Sequence, residues 1–323
     1  MEPARSKTRA GLWTVAALLF FGALPVFGIP RSWLLFLFLF FIYLAMANAW
    51  NLLAGYSGLI SLCQPAFVGL GAYTVTLLAW VGVPLYVGII AGIGISAAFA
   101  VIISVPAFRM KGTYFAIGTL IVPEVLRLVF LVWRPVGGDV VGGGAGYAIK
   151  RATEMPAAHI YWMALTVGIV SVFVLRIILG SSLGLGLAAV RDNEKSSASS
   201  GVNVFRLKLT SFVIGAVITG AAGGVFYVFQ GYVDPTSAFS IQWTIALMLA
   251  TVLGGIGTEE GPIVGTAIVV LLHFLLAKYA GVSLLIQGFI LTGIMLITPQ
   301  GIAGYLRQKQ VYRSFMPVAK GRS

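Results

Sequence analysis

Apolar runs close to twenty residues, the length that crosses a hydrocarbon layer as a helix, follow one another along almost this whole chain. They begin near residue 11 and continue to about residue 299, broken by one long polar interval at 181–208. At membrane depth a backbone must satisfy its own hydrogen bonds, so such runs read as transmembrane helices. Of the 323 residues 59% are hydrophobic and only 9% charged, against roughly a quarter charged in soluble chains. The expected fold class is therefore all-α: a polytopic helical membrane protein of about ten spans. Six of these precede the polar interval and four follow it.

The first expected span, 11–29, follows Arg5, Lys7 and Arg9 and resembles a signal peptide. It reads as a retained helix, since no small-x-small cleavage site followed by a soluble domain appears. The others are 33–53, 84–105, 113–133 and 159–179, then 209–230, 241–256, 262–280 and 283–299. Between the second span and residue 84 lies 55–73, where glycines, serines, Gln64 and Pro65 fall at membrane depth. That composition predicts a broken or re-entrant helix, tolerated where it is buried in protein or lines a cavity. Small-residue packing with a proline kink and the lining of a pathway both fit it. Glu124 and Arg127 stand three residues apart on one face of the 113–133 helix. A charge at the bilayer centre costs about 3 kcal/mol on insertion scales, so they either face the bundle interior or neutralise each other.

Placement of the basic residues orients the chain. With the amino terminus in the cytoplasm, fourteen Lys and Arg lie inside: Arg5, Lys7 and Arg9, Arg109 and Lys111, four within 191–208, and five in the tail. Only Arg31, Arg134, Lys150 and Arg151 fall outside, a strong positive-inside bias. The expected organisation is a cytoplasmic arm at 1–10, a transmembrane domain at 11–305 and a basic cytoplasmic tail at 306–323. The 181–208 interval is then cytoplasmic. Asp192 or Asn193 can cap a short helix there and Gly201 can end it. A solvated loop and a docking element for a partner are both compatible with its composition.

Several chemistries lack their residues. No G-x-x-x-x-G-K-[ST] occurs, so this chain does not hydrolyse ATP by a Walker-type site. Gly184-Leu185-Gly186-Leu187-Ala188-Ala189 fits G-x-G-x-x-A but follows a membrane span rather than a strand. His159 and His273 are isolated, and Cys63 is the sole cysteine, so no metal site and no disulfide within the chain is expected. Nothing marks an enzyme. An ion-coupled carrier needs intramembrane ionisable groups, and Glu124 has Arg127 placed to neutralise it. A permease driven by separate ATPases needs a cytoplasmic receiving surface, which 181–208 supplies. A membrane scaffold is the remaining class.

Two segments resemble a known family. Gly55-Tyr56-Ser57-Gly58-Leu59-Ile60-Ser61 through Gln64-Pro65-Ala66-Phe67-Val68-Gly69-Leu70-Gly71-Ala72-Tyr73 is similar to a stretch of the LivM-type permease subunits of branched-chain amino acid ABC transporters. Arg191, Glu194, Gly201, Val202, Asn203, Val204, Lys208 and Leu209 match the cytoplasmic loop of the same family. Glu124 with Arg127, and Gly254-Gly255-Ile256-Gly257 with Gly261-Pro262, also match, and the resemblance covers roughly 35–305. Cys63 stands where the family usually has glycine, Leu185 and Ala188 at commonly basic positions, and serines at 196–197 in place of alanines. Glu259 and Glu260 make the 257–261 turn more acidic than usual.

The resemblance implies an ABC-importer permease in a bacterial cytoplasmic membrane, with no cofactor of its own because partner ATPases hydrolyse ATP. Implied partners are a homologous LivH-type permease, two cytoplasmic ATPases and an external solute-binding protein that delivers leucine, isoleucine or valine. Relatives that carry urea, amides or aromatic acids keep those cargoes open. On this basis Arg191, Glu194, Gly201, Asn203 and Lys208 belong to the ATPase-coupling element, with Glu194 free to pair with a basic residue of an ATPase. Asn51, Ser61, Gln64 and Pro65 are candidates for the translocation path.

Overall fold

The computed structural model describes residues 30–137 and 141–276 continuously, together with 20–25, 27, 286, 288, 289, 292, 293 and 301. Helix α1, Arg31–Asn51, runs directly into a π-helical turn at Leu52–Tyr56. Then come α2 (Gln64–Trp80), α3 (Leu85–Ala107), α4 (Thr113–Val132) and α5 (Ala157–Leu179). The polar interval forms two helices, α6 (Ser182–Asp192) and α7 (Glu194–Ser199), where one short helix is expected from its caps. The chain continues through α8 (Val204–Gln230), the short α9 (Pro235–Ala238), α10 (Gln242–Gly254) and α11 (Gly261–Leu276).

Among the described residues six helices are long and apolar enough to cross a membrane. Helices α2 and α11, at 17 and 16 residues, are shorter. The expected spans at 11–29 and 283–299 fall largely outside the described residues, and the arm at 1–10 and the basic tail at 306–323 lie wholly outside them. Among the described residues one small departure from an all-helical fold lies between α4 and α5: Tyr147–Ala148 (β1) pairs antiparallel with Tyr232–Val233 (β2). Gly146 makes that approach possible, because at φ +68° a Cβ would lie 2.4 Å from the Val233 carbonyl oxygen.

The centre of the bundle is held by backbone approach rather than by large side chains. A Cβ on Gly71 of α2 would lie 2.1 Å from the Gly220 carbonyl oxygen of α8. On Gly223 it would lie 2.6 Å from Val68 Cα, and on Gly92 of α3 it would lie 3.2 Å from the Gly71 oxygen. Small residues at such crossings let helices approach where lipid gives little hydrophobic drive for association. Helix α1 packs between α5 and α8, and the α10–α11 pair closes on its other side. Helix α4 stands apart, touching α2, α3 and α9 with a minority of its surface.

The end of the bundle opposite α6 and α7 is closed by α9. Asp234 caps it, accepting the Thr236 and Ser237 backbone N–H groups at 3.0 Å each and the Ser237 hydroxyl at 2.6 Å. Partial burial pushes the Asp234 carboxyl up, but the hydrogen bonds from Ser237 and Thr236 outweigh it and hold the group below the usual carboxylate range. Phe239, just beyond α9, lies over Gly69 and stacks on Tyr73 at 5.8 Å.

Two outcomes follow from this packing. Gly71→Val places branched atoms into the Gly220 backbone, and overpacking of this kind costs about 1–3 kcal/mol or more. A fluorescence size-exclusion melt in detergent should show a clear loss of thermal stability against Gly94→Val in α3, whose Cβ meets nothing and whose backbone is helical. Because the Asp234 carboxyl is depressed in the folded state, its stabilisation is present above the unfolded pKa and lost as pH falls through the folded value. Stability should therefore fall on the acid side of about pH 4, and Asp234→Asn should flatten that acid limb in melts recorded across pH.

Candidate functional site

Three segments distant in sequence meet beside α6 and α7: the π-helical turn with the break after it, the end of α6, and the turn at 255–260. The break comes where glycines and a proline predict it. Backbone is irregular from Ser57 to Cys63, and α2 restarts at Gln64 with Pro65 in its first turn, where the missing N–H costs nothing. The freed backbone groups find side-chain partners. Trp50 Nε1 donates to the Ser61 carbonyl at 3.0 Å, Thr119 Oγ1 of α4 accepts the Leu62 N–H at 3.0 Å, and Thr244 of α10 donates to the Leu62 carbonyl at 3.4 Å. This is the internal satisfaction that a break at membrane depth demands.

Arg191, in the last turn of α6, reaches across to this break. Its Nη1 donates to the Gly55 carbonyl at 2.9 Å, while Nε and Nη2 hold the Asp192 carboxylate at 3.3 and 3.2 Å. Gly55 cannot carry a side chain there: a Cβ would lie 2.5 Å from the Gly257 nitrogen and 2.4 Å from Asn51 Oδ1. Asn51 is fully buried and clamps the neighbouring turn. Its Oδ1 accepts the Gly257 N–H at 2.8 Å and its Nδ2 donates to the Thr258 carbonyl at 2.9 Å. Arg176 of α5 adds an ion pair to Glu259 at 3.8 Å. The end of α6, the helix break and the turn thus form one continuous bonded path.

The second polar helix is built by its caps. Asn193 accepts the Ser196 N–H at 3.0 Å, Gly201 takes φ +85°, and Asn203 caps α8 by accepting the Arg206 N–H at 3.0 Å. The serine hydroxyls turn back onto their own helix: Ser197, Ser199 and Ser200 each donate to the carbonyl four residues earlier. Glu194 is already engaged, taking the Lys208 ammonium at 2.7 Å, with Lys208 only 12% exposed. That pair pins α7 to α8 across fourteen residues of sequence. Beneath it lies a cleft of about 570 Å³ lined by Ser57, Ile60, Lys111, Arg191, Glu194 and Lys208, among others.

Of the path candidates, Asn51, Ser61 and Gln64 are all fully buried and Pro65 is buried beside them. Asn51 is committed to the 257–258 turn. Gln64 is not committed: neither Oε1 nor Nε2 has a hydrogen-bond partner among the described residues. Glu124 and Arg127 do not join this site. They form a bidentate pair, Nε to Oε2 at 2.9 Å and Nη2 to Oε1 at 2.5 Å, on the outward face of α4. Within the chain the two neutralise each other on this face rather than pointing into the bundle interior. Trp50, Thr119, Thr244, Arg176 and Glu259 also shape the site. Their types carry no signal for it, since each acts through a contact that the fold creates.

With this geometry in hand, comparison with known proteins decides the family. Residues 32–299 match the family described as the permease component of the branched-chain amino acid transport system. This chain belongs to that family. It is 29% identical to the high-affinity branched-chain amino acid transport system permease protein LivM of Escherichia coli K12, covering 92% of this chain and 76% of that protein. It is 28% identical to LivM of Salmonella typhimurium LT2, over 84% of this chain and 70% of that protein. A shorter stretch, 38% of the chain, is 29% identical to the E. coli K12 permease protein LivH and covers 40% of that protein. No solved structure matches.

Within this permease Gln64 offers a direct test of role against stability. A buried polar group without a partner costs about 1–3 kcal/mol, and Met has nearly the shape of Gln. Gln64→Met should therefore leave the thermal stability of the detergent-purified chain unchanged or raised. A drop of several degrees would show that the amide is held by bonds the fold needs.

Proposed function

We propose that this chain is the LivM-type membrane subunit of an ATP-driven, binding-protein-dependent importer of branched-chain amino acids. Membership of the permease family over residues 32–299 carries the reading. The pairing of LivM and LivH among its relatives supports a second, homologous permease beside it. On this reading the chain lies in a bacterial cytoplasmic membrane with about ten spans, and the end bearing α6 and α7 faces the cytoplasm, as the distribution of basic residues favours. Two ATPases dock there, and a binding protein delivers cargo at the opposite end.

The coupling step then has a physical route. Closure of the ATPases pushes α6 and α7. Arg191 carries that displacement into the Gly55 carbonyl, and so into the break that separates α1 from α2. The pinned α7 carries it into α8 through Lys208. Gly201 and Asn203 keep the shape of the turn between them. Opening at the break exposes Ser61 and Gln64 to the pathway, where the unpaired amide of Gln64 can meet the charged groups of an amino acid while apolar walls accept its side chain. Leucine, isoleucine or valine fits such a path, and urea, amides or aromatic acids are the alternative cargoes.

Uptake of labelled leucine by proteoliposomes containing the assembled permeases, ATPases and binding protein tests this. Wild-type uptake should need both ATP and binding protein. A hydrogen bond from a charged donor contributes about 1.5–3 kcal/mol, so Arg191→Ala should lower uptake roughly tenfold or more. The ATPases should still co-purify and ATP should still be hydrolysed. Equal uptake by the variant would remove Arg191 from the coupling route. Uptake that persists without ATPases, driven by an ion gradient, would overturn the importer.

A further inference from the structure

The outward face of α4 differs from those of the other described helices. Tyr114, Ile117, Ile121, Val125, Leu128 and Val132 form an exposed stripe along it. Glu124 and Arg127 sit beside that stripe, 55% and 27% exposed. The midpoint of Thr113–Val132 falls between residues 122 and 123, so at about 1.5 Å per residue the Glu124 backbone lies within roughly 2 Å of the middle of this membrane-length helix. The exposed face of α3, by contrast, with Tyr86, Val87, Ile90, Ile95, Ile102 and Val105, carries no charge. That is a face suited to lipid.

Lipid does not suit the α4 pair. Arg127 uses Nε and Nη2 on Glu124 and leaves Nη1 without a partner among the described residues, and the carboxylate keeps unused lone pairs. Hydrocarbon has nothing to offer these groups. Toward the α6–α7 end the same face opens into a groove of about 480 Å³ lined by Arg109, Lys111, Tyr114, Ile117, Gly118 and Ile121. Among the described later residues, α11 packs on α10 and α1, and Gly301 lies against Gly255 at the end of α10.

We infer that this face of α4 is the seam with the second permease subunit, and that the Glu124–Arg127 pair is completed by polar groups of that subunit. The inference rests on the permease pair proposed above. Homologous subunits related by an approximate two-fold axis along the membrane normal meet at equal depth. A pair at mid-membrane on one subunit then faces the middle of the matching helix on the other. Partner side chains fill the groove, and the two cations at its mouth remain at the membrane surface.

The test places the photo-crosslinking residue p-benzoylphenylalanine at Ile121 or Val125, with Ile90 on α3 as control, in the full-length tagged chain in membranes of its source organism. Products are identified by mass spectrometry, and co-purification of a second permease is scored separately. Positions 121 and 125 should yield an adduct with a different member of this permease family, and position 90 should not. A Glu124→Leu/Arg127→Leu double variant should still insert but retain at least fivefold less of the second permease. An adduct only with a further copy of this chain, only lipid adducts, or undiminished co-purification with the double variant would overturn the seam while leaving the permease pair standing. Absence of any second permease from the purified wild-type complex would remove both.

Discussion

Backbone-to-backbone approach at α2, α3 and α8 is the constraint on which the rest of this molecule depends. In a bilayer an apolar side chain gains little by leaving lipid for protein, so helices are held by close packing and by hydrogen bonds. The 2.1 Å that a Cβ on Gly71 would leave to the Gly220 oxygen admits no methyl group. Fixing α8 at Gly220 and Gly223 also fixes its other end. At 27 residues α8 is about 40 Å long, more than a membrane's hydrocarbon thickness, so its first turns project beyond the core and carry Lys208. One rigid helix thus joins the close backbone packing at the centre of the bundle to the polar helices at its end.

The break between α1 and α2 depends on that frame in turn. Ser57 to Cys63 would leave several backbone groups unpaired, and it is Trp50, Thr119 and Thr244, on α1, α4 and α10, that satisfy them. Each of these side chains is in place only because its helix is packed. The break is therefore stable as built and sensitive to relative movement of the helices around it. Such a segment suits a pathway that has to open and close, provided that the movement is delivered close by, as the Arg191–Gly55 bond allows.

Much of this was legible in the sequence because it rests on local rules. Apolar length marks most of the spans, glycines with Pro65 mark the break, and Asn193 and Gly201 mark the ends of α7. What was not legible rests on distance. The Arg191–Gly55 bond spans 136 residues and the Asn51–Gly257 bond 206, and neither residue type announces its partner. Helix α6 runs through Gly184 and Gly186 against their low helix propensity; Gly184 is needed there, since its Cβ would lie 2.6 Å from the Ile178 oxygen. The outward position of Glu124 and Arg127 was equally hidden. Spacing puts them on one face of α4 but cannot say which way that face turns.

The bonds at the junction differ in how easily they part, and this locates the joint in the proposed coupling route. Asn51 is fully buried, and separating it from Gly257 and Thr258 would strand buried donors and acceptors at about 1–3 kcal/mol each. The turn at 255–260 therefore moves with the end of α1 as one body, with Arg176–Glu259 as a further tie. Arg191 is different. Its side chain is 42% exposed and keeps Asp192 when it leaves Gly55, so water can replace the lost bond and no charge is left buried. Glu194–Lys208 lies between these cases, one partner largely enclosed and the other 46% exposed. Displacement of α6 relative to the break is thus the least costly motion, with α7 following α8. In that route a small displacement of α6 reaches the break while the Arg191–Gly55 bond holds, and a larger one parts it. Asn193, where α6 ends and the chain turns extended before α7, lets α6 shift while α7 stays with the core.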